Sequence, residues 1–130
     1  MNNSDPPEIK RRDFRAETAY PFWFRKLEEM TNGTDRGGKW RHSYTLNLSA
    51  GGALIFTDDD DLKQEDLVEF ELVVPGGPVF GIARVVRTIL DERQQKQCGV
   101  MFVSIASRDK DRIAQIVLND GLEKRYDEFR

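Results

Sequence analysis

Residues 67–74 read Leu-Val-Glu-Phe-Glu-Leu-Val-Val. Val68, Phe70, Leu72 and Val74 alternate with Glu69, Glu71 and Val73. That period of two belongs to a strand with one buried face and one wet face. Pro75-Gly76-Gly77-Pro78 then breaks the run and reverses the chain, and a long apolar stretch follows at 79–90. A polar loop at 91–96 leads to another apolar run at 97–105. Upstream, Arg41–Ser49 also alternates. Tyr44, Leu46 and Leu48 are expected on its core face, with Ser43, Thr45, Asn47 and Ser49 on the other. Gly51-Gly52 ends that strand, and 53–57 starts a further one that runs into the acidic stretch 58–61. The aromatic-rich segment 19–28 reads as the first strand, and 31–39, with its Asn-Gly and Gly-Gly pairs, as a loop.

After Ile105 the period changes. Ser107 offers a helix cap ahead of 108–118, where Ile113, Ile116 and Val117 form an apolar stripe. Asn119-Asp120-Gly121 reads as a stop. Residues 1–8, with Pro6-Pro7, read as an extended lead-in, and no repeat or linker divides the rest. Short antiparallel strands followed by one helix place the chain in the all-β class, as a small barrel with a helical cap. Pattern alone does not separate the kinds of small barrel.

A chain of 130 residues, 38% hydrophobic and 33% charged, suits one domain with its own core. No run approaches the roughly 18 apolar residues of a membrane span. The first fifteen residues lack the apolar centre of a secretory signal, so a cytoplasmic protein without membrane insertion is expected. Cys98 is the single cysteine, which excludes an internal disulfide, and its apolar neighbours mark it as a small buried hydrophobe. The net charge of −3 argues against nucleic-acid binding, which needs a broad basic surface. The charge is uneven, however. Lys10, Arg11, Arg12 and Arg15 form one basic cluster where a small anion can be held.

Little here suits catalysis. His42 is the only histidine, and no cysteine can join it in a zinc site. The run 58–61 lacks the alternating ligands and distal glutamate of a calcium loop. Gly76, Gly77 and Gly81 match no phosphate-binding fingerprint. An enzyme is therefore the least favoured class, and neither metal nor cofactor is implied. Two segments stand out. Arg11-Arg12-Asp13-Phe14-Arg15 contains Arg-x-x-x-Arg, and guanidinium groups fit phosphates and the guanine O6/N7 edge through paired hydrogen bonds. Asn47-Leu48-Ser49-Ala50-Gly51-Gly52 puts Asn47 and Ser49 on one strand face. The Asn47 carbonyl can accept from guanine N1 and N2, and the Ser49 hydroxyl can donate to an oxygen. Gly52 would let a flat ligand come close to the backbone. On its own, that segment also reads as a strand ending in a polar glycine turn.

In this order the two segments resemble the signature of the PilZ family of bacterial cyclic di-GMP receptors. Arg11 and Arg15 match its arginine arm, and Asn47, Ser49 and Gly52 match its Asp/Asn-x-Ser-x-x-Gly segment. Tyr20-Pro21-Phe22, Ala83-Arg84-Val85-Val86 and Cys98-Gly99-Val100-Met101-Phe102 also fit. The resemblance implies a six-stranded antiparallel barrel with a C-terminal helix over 10–121, after a lead-in at 1–9 and before an extension at 122–130. It implies cyclic di-GMP as ligand, held by Arg11, Arg12, Arg15, Asn47, Ser49, Gly51 and Gly52, and an unidentified downstream protein that reads the change. The chain departs from the family in a longer hairpin at 29–40 and in Gln64-Glu65-Asp66, where members often carry a glycine. Two other classes compete. One is a PilZ-fold adaptor that binds no nucleotide. The other is a single-strand nucleic-acid binder using Trp23 and Trp40 beside Arg25, Lys26, Lys39 and Arg41.

Overall fold

The structure is a computed structural model that describes residues 16–27, 39–58 and 62–128, with side chains as far as residue 121. Six strands form a closed antiparallel barrel: β1 (Pro21–Lys26), β2 (Arg41–Ser49), β3 (Gly52–Thr57), β4 (Leu67–Val74), β5 (Gly77–Leu90) and β6 (Lys96–Ile105). Their order around the barrel is β1-β2-β3-β6-β5-β4. Closure leaves no unpaired sheet edge, which is how so small a sheet satisfies its backbone. The alternation of β4 holds as read, with Val68, Phe70, Leu72 and Val74 all buried. Phe22 of β1, Phe70 of β4 and Phe102 of β6 stack in series across the interior, with ring centroids 5.3 and 5.1 Å apart.

β2 departs from its expected alternation. Ser43 and Thr45 point inward and are buried, while Tyr44 points out and stacks on Phe56 at 5.8 Å. The register against β3 then slips between Thr45 and Asn47, a bulge centred on Leu46. One extra residue exchanges the two faces. Leu48 therefore turns inward, and Asn47 and Ser49 face outward as the alternation required. The inward hydroxyls are satisfied: Ser43 Oγ donates to the Phe56 carbonyl, and Thr45 Oγ1 accepts from Tyr20 N at 3.0 Å.

Helix α1 (Ser107–Glu128) packs on the barrel core through Ile113 and Val117, both buried, with Ile116 half-buried beside them. It begins at Ser107 itself, one residue before the expected first helical position. The Ala106 carbonyl accepts from Lys110 N at 3.0 Å, so Ala106 holds the cap position and Ser107 the first turn. It also runs through Asn119-Asp120-Gly121, where a stop was expected. A glycine inside a helix costs about 1 kcal/mol, which tertiary contacts can outweigh. Asp120 supplies two of them, accepting from Glu17 N at 3.3 Å and Thr18 Oγ1 at 3.2 Å. Arg112 grips the β4–β5 turn, donating to the carbonyls of Pro75 (3.1 Å) and Gly77 (2.7 Å).

The turn before β4 carries the second departure from the family pattern. Glu65 sits at φ 77°, in the left-handed region that favours glycine. Its side chain is largely exposed and lies 3.8 Å from Arg84. A surface pair of that kind contributes little. A side chain in this conformation costs about 1–2 kcal/mol, part of which glycine returns through its freer unfolded chain. Glu65→Gly is therefore expected to raise the melting temperature by a few degrees in a thermal melt. A fall would show that the Glu65 side chain contributes more than its backbone costs.

Candidate ligand-binding cleft

The end of β2, the turn after it and the start of β3 build one wall of a cleft of about 280 Å³ on the outer face of β2, β3, β6 and β5. Asn47 and Ser49 line it from β2, Gly51 from the turn and Gly52 from the first position of β3. Ser49 Oγ donates to the Gly52 carbonyl at 3.2 Å and so ties the strand end to the turn. The side-chain amide of Asn47 has no hydrogen-bond partner among the described residues. Leu54 and Val100 add apolar surface, and Arg87 of β5 closes the far side.

The two glycines differ. A Cβ on Gly51 would meet nothing within 4 Å, so that side of the turn is open. A Cβ on Gly52 would lie 2.1 Å from the Val100 carbonyl oxygen. Gly52 is thus needed where β3 presses against β6, a packing requirement additional to any ligand approach. Gly99 makes a second close approach, since its missing side chain leaves room for Arg87, with Nε 2.9 Å from where a Cβ would be. Arg87 is exposed and forms no ion pair or hydrogen bond among the described residues.

Arg87 was not found from the sequence. Val79, Ala83 and Val85 are buried, so strict alternation sends residue 87 into the core. A bulge between Val85 and Arg87 reverses the phase and puts the guanidinium outside, opposite Gly99. The only signal was the cost of burying an unpaired cation, which argued that the alternation had to fail somewhere before residue 87.

Arg11, Arg12 and Arg15 lie outside the described residues, as does most of the 29–40 hairpin. Their attachment point is described. Ala16, joined to Arg15, is fully buried and forms an isolated antiparallel bridge with Leu48. The two residues exchange both backbone hydrogen bonds, at 2.7 and 2.8 Å. Leu48 is flanked by Asn47 and Ser49, so the arginine segment joins the barrel beside the cleft wall. Among the described residues, no group of three or more histidine, cysteine, aspartate or glutamate side chains is placed to hold a metal. No described helix is long and apolar enough to cross a membrane.

The PilZ domain model matches residues 9–119. The chain belongs to the PilZ domain family. Solved structures agree on the fold. The inhibitor of motility MotI/DgrA from Bacillus subtilis superposes with a TM-score of 0.72 at 16% identity, over 88% of this chain and 53% of that one. The MrkH–c-di-GMP complex of K. pneumonia gives 0.64 at 24% identity, over 88% and 53%. The PilZ domain of YcgR from Escherichia coli, solved with c-di-GMP, gives 0.60 at 14% identity, over 93% and 98%. This PilZ chain therefore spans about half the length of MotI/DgrA and MrkH, and nearly all of the isolated YcgR domain. No curated protein matches it in sequence.

Proposed function

We propose that this PilZ domain is a cyclic di-GMP receptor, a binding module that changes its surface on taking up the ligand and passes the change to a partner protein. The observation that carries the reading is the cleft itself. Asn47, Ser49 and Arg87 converge on one outward face, and the chain bearing Arg11, Arg12 and Arg15 is pinned beside them at Ala16. Two of the similar structures, the YcgR domain and MrkH, are c-di-GMP complexes.

Each part has a task that fits the ligand. Asn47 offers an unpartnered amide to a guanine edge. Ser49, once its hydroxyl turns away from the Gly52 carbonyl, donates to a phosphate or base oxygen. The arm's arginines pair with phosphates through two hydrogen bonds each. Arg87, packed against Gly99, offers both a cation and a planar group on which a base can stack. The output is regulation of motility, exopolysaccharide synthesis or a related bacterial process in the cytoplasm. It needs neither cofactor nor metal, neither nucleic acid nor membrane insertion.

Calorimetric titration tests the reading, with GMP and cyclic di-AMP as controls. Cyclic di-GMP is expected to bind at micromolar strength or better and GMP far more weakly. The absence of heat at high cyclic di-GMP would overturn the receptor reading in favour of a PilZ-fold adaptor. Asn47→Ala, Ser49→Ala and Arg87→Ala should each weaken binding by roughly 0.5–3 kcal/mol, the range for one lost hydrogen bond to a neutral or charged group. All three side chains face outward, so no cavity forms and the melting curves should overlay that of the parent.

A further inference from the structure

The barrel carries a second built surface away from the cleft. The cleft is centred on β3 and β6. This one is centred on β1 and β4, the opposite pair in the closed order. Trp23, Trp40 and Phe80 are 40%, 41% and 60% exposed, which is high for rings of that size. With Glu69 and Glu71 they line a groove of about 360 Å³. A contiguous aromatic surface left in water marks an interaction site more often than chance.

Strand register arranges these groups in two outward rows. In one, Arg25 of β1 sits opposite Glu69 of β4. Its guanidinium donates to Glu69 at 2.8 Å and lies 5.1 Å over the Trp40 ring. That row is a complete cation site: one carboxylate, one aromatic face and one guanidinium between them. In the other row, Trp23 sits opposite Glu71, and Glu71 opposite Phe80. His42 packs on the far side of Trp23 at 4.5 Å. This row repeats the carboxylate and the aromatic faces, but Glu71 has no cationic partner among the described residues.

We propose that the Trp23–Glu71–Phe80 row is a docking site for an arginine or lysine side chain on a basic, partly apolar segment of a partner protein. The chemistry is that of the neighbouring row, with the cation supplied from outside. A guanidinium over Trp23 meets the negative face of the ring and pairs with Glu71, while its aliphatic stem covers Phe80. Glu71, which has no cationic partner among the described residues, repels a phosphate backbone and so argues against a nucleic-acid occupant at this row. The inference goes beyond the cyclic di-GMP reading and does not depend on it.

The test uses the full chain and a capped peptide, Leu-Arg-Leu-Arg-Leu, titrated while the indole signals of Trp23 and Trp40 are followed by nitrogen–proton correlation spectroscopy. The peptide is expected to shift the Trp23 indole. Its citrulline counterpart, with the same shape and no charge, should bind about fivefold more weakly or worse, the scale of a part-exposed cation–π contact. Glu71→Gln and Phe80→Ser should each weaken the arginine peptide by a similar factor and leave cyclic di-GMP affinity unchanged. Both positions face outward, so folding is preserved. Equal binding of the two peptides, no indole shift with either, or a stronger response to oligothymidylate would overturn the proposal. So would a concentration-dependent dimer that Phe80→Ser abolishes, because the occupant would then be a second copy of this chain.

Discussion

Gly52→Ala unfolds this domain or lowers its melting temperature by ~10 °C or more, whereas Gly51→Ala leaves it melting like the parent. The two residues are neighbours in one turn, and both belong to the segment that marks the family. Their surroundings differ entirely. A methyl group on Gly52 would sit 2.1 Å from the Val100 carbonyl oxygen and 3.2 Å from the Met101 Cα, both of them backbone atoms of β6. A flexible side chain could yield at such a distance. A paired strand in a closed barrel cannot move without disturbing its other neighbour, and β6 is bonded on its far side to β5 from Gly81 to Leu90. The relief is the loss of β3–β6 pairing, at a cost above the usual 1–3 kcal/mol of overpacking. Gly51 has open space where its Cβ would go, and it is not among the residues with positive φ. Circular dichroism melts of the two variants decide the matter. If Gly52→Ala melts like the parent, the strands give way easily and the glycine is required for the ligand alone.

Arg15→Ala abolishes cyclic di-GMP binding, a loss of ~100-fold or more if one guanidinium makes two charge-assisted hydrogen bonds of roughly 1.5–3 kcal/mol each. The fold is expected to stay intact, since the residues that follow carry anchoring contacts of their own. Ala16 is held by Leu48, while Glu17 and Thr18 are held by Asp120 of the helix. That anchorage also predicts a proteolytic signature. Saturating cyclic di-GMP should slow tryptic cleavage after Lys10, Arg11, Arg12 and Arg15 far more than after Arg93, which lies in the exposed β5–β6 loop. A ligand that binds only one arrangement of the arm shifts the population towards it, and a partner can read that shift. In Arg15→Ala the protection should vanish together with the binding heat. Equal cleavage with and without ligand in the parent chain would show that the arm takes no part in the clamp.

Much of this was legible before any coordinates. The alternation across Leu67–Val74 held at every position, because a strand packed on one side of a barrel has no freedom to place its apolar residues elsewhere. The Pro-Gly turn, the change of period after Ile105 and the family signature placed six strands and a helix in the right order. Asn47 and Ser49 were read as outward-facing, and they are. Within the strands, what failed, failed at bulges. A single extra residue at Leu46 exchanged the faces of Ser43, Tyr44 and Thr45 relative to the end of the strand. Another at Val86 brought Arg87 out of the core and into the cleft. A bulge has no local sequence signature, since it is imposed by how two twisted strands keep pairing around a closed barrel.

The helix and the aromatic groove show the same division. Asn119-Asp120-Gly121 has the composition of a stop, and its local preference was overridden by carboxylate contacts to residues more than a hundred positions earlier. Trp23 and Trp40 stand beside basic residues in the sequence, and only the sheet brings Glu69 and Glu71 into the same groove with them. The sequence by itself determined the period of each strand, the punctuation between them and the chemistry available to hold a phosphorylated guanine ligand, because these depend on neighbouring residues alone. The tertiary structure alone decided which side chains share a face across strands. That is set by register and closure, and neither is written in any one segment of the chain.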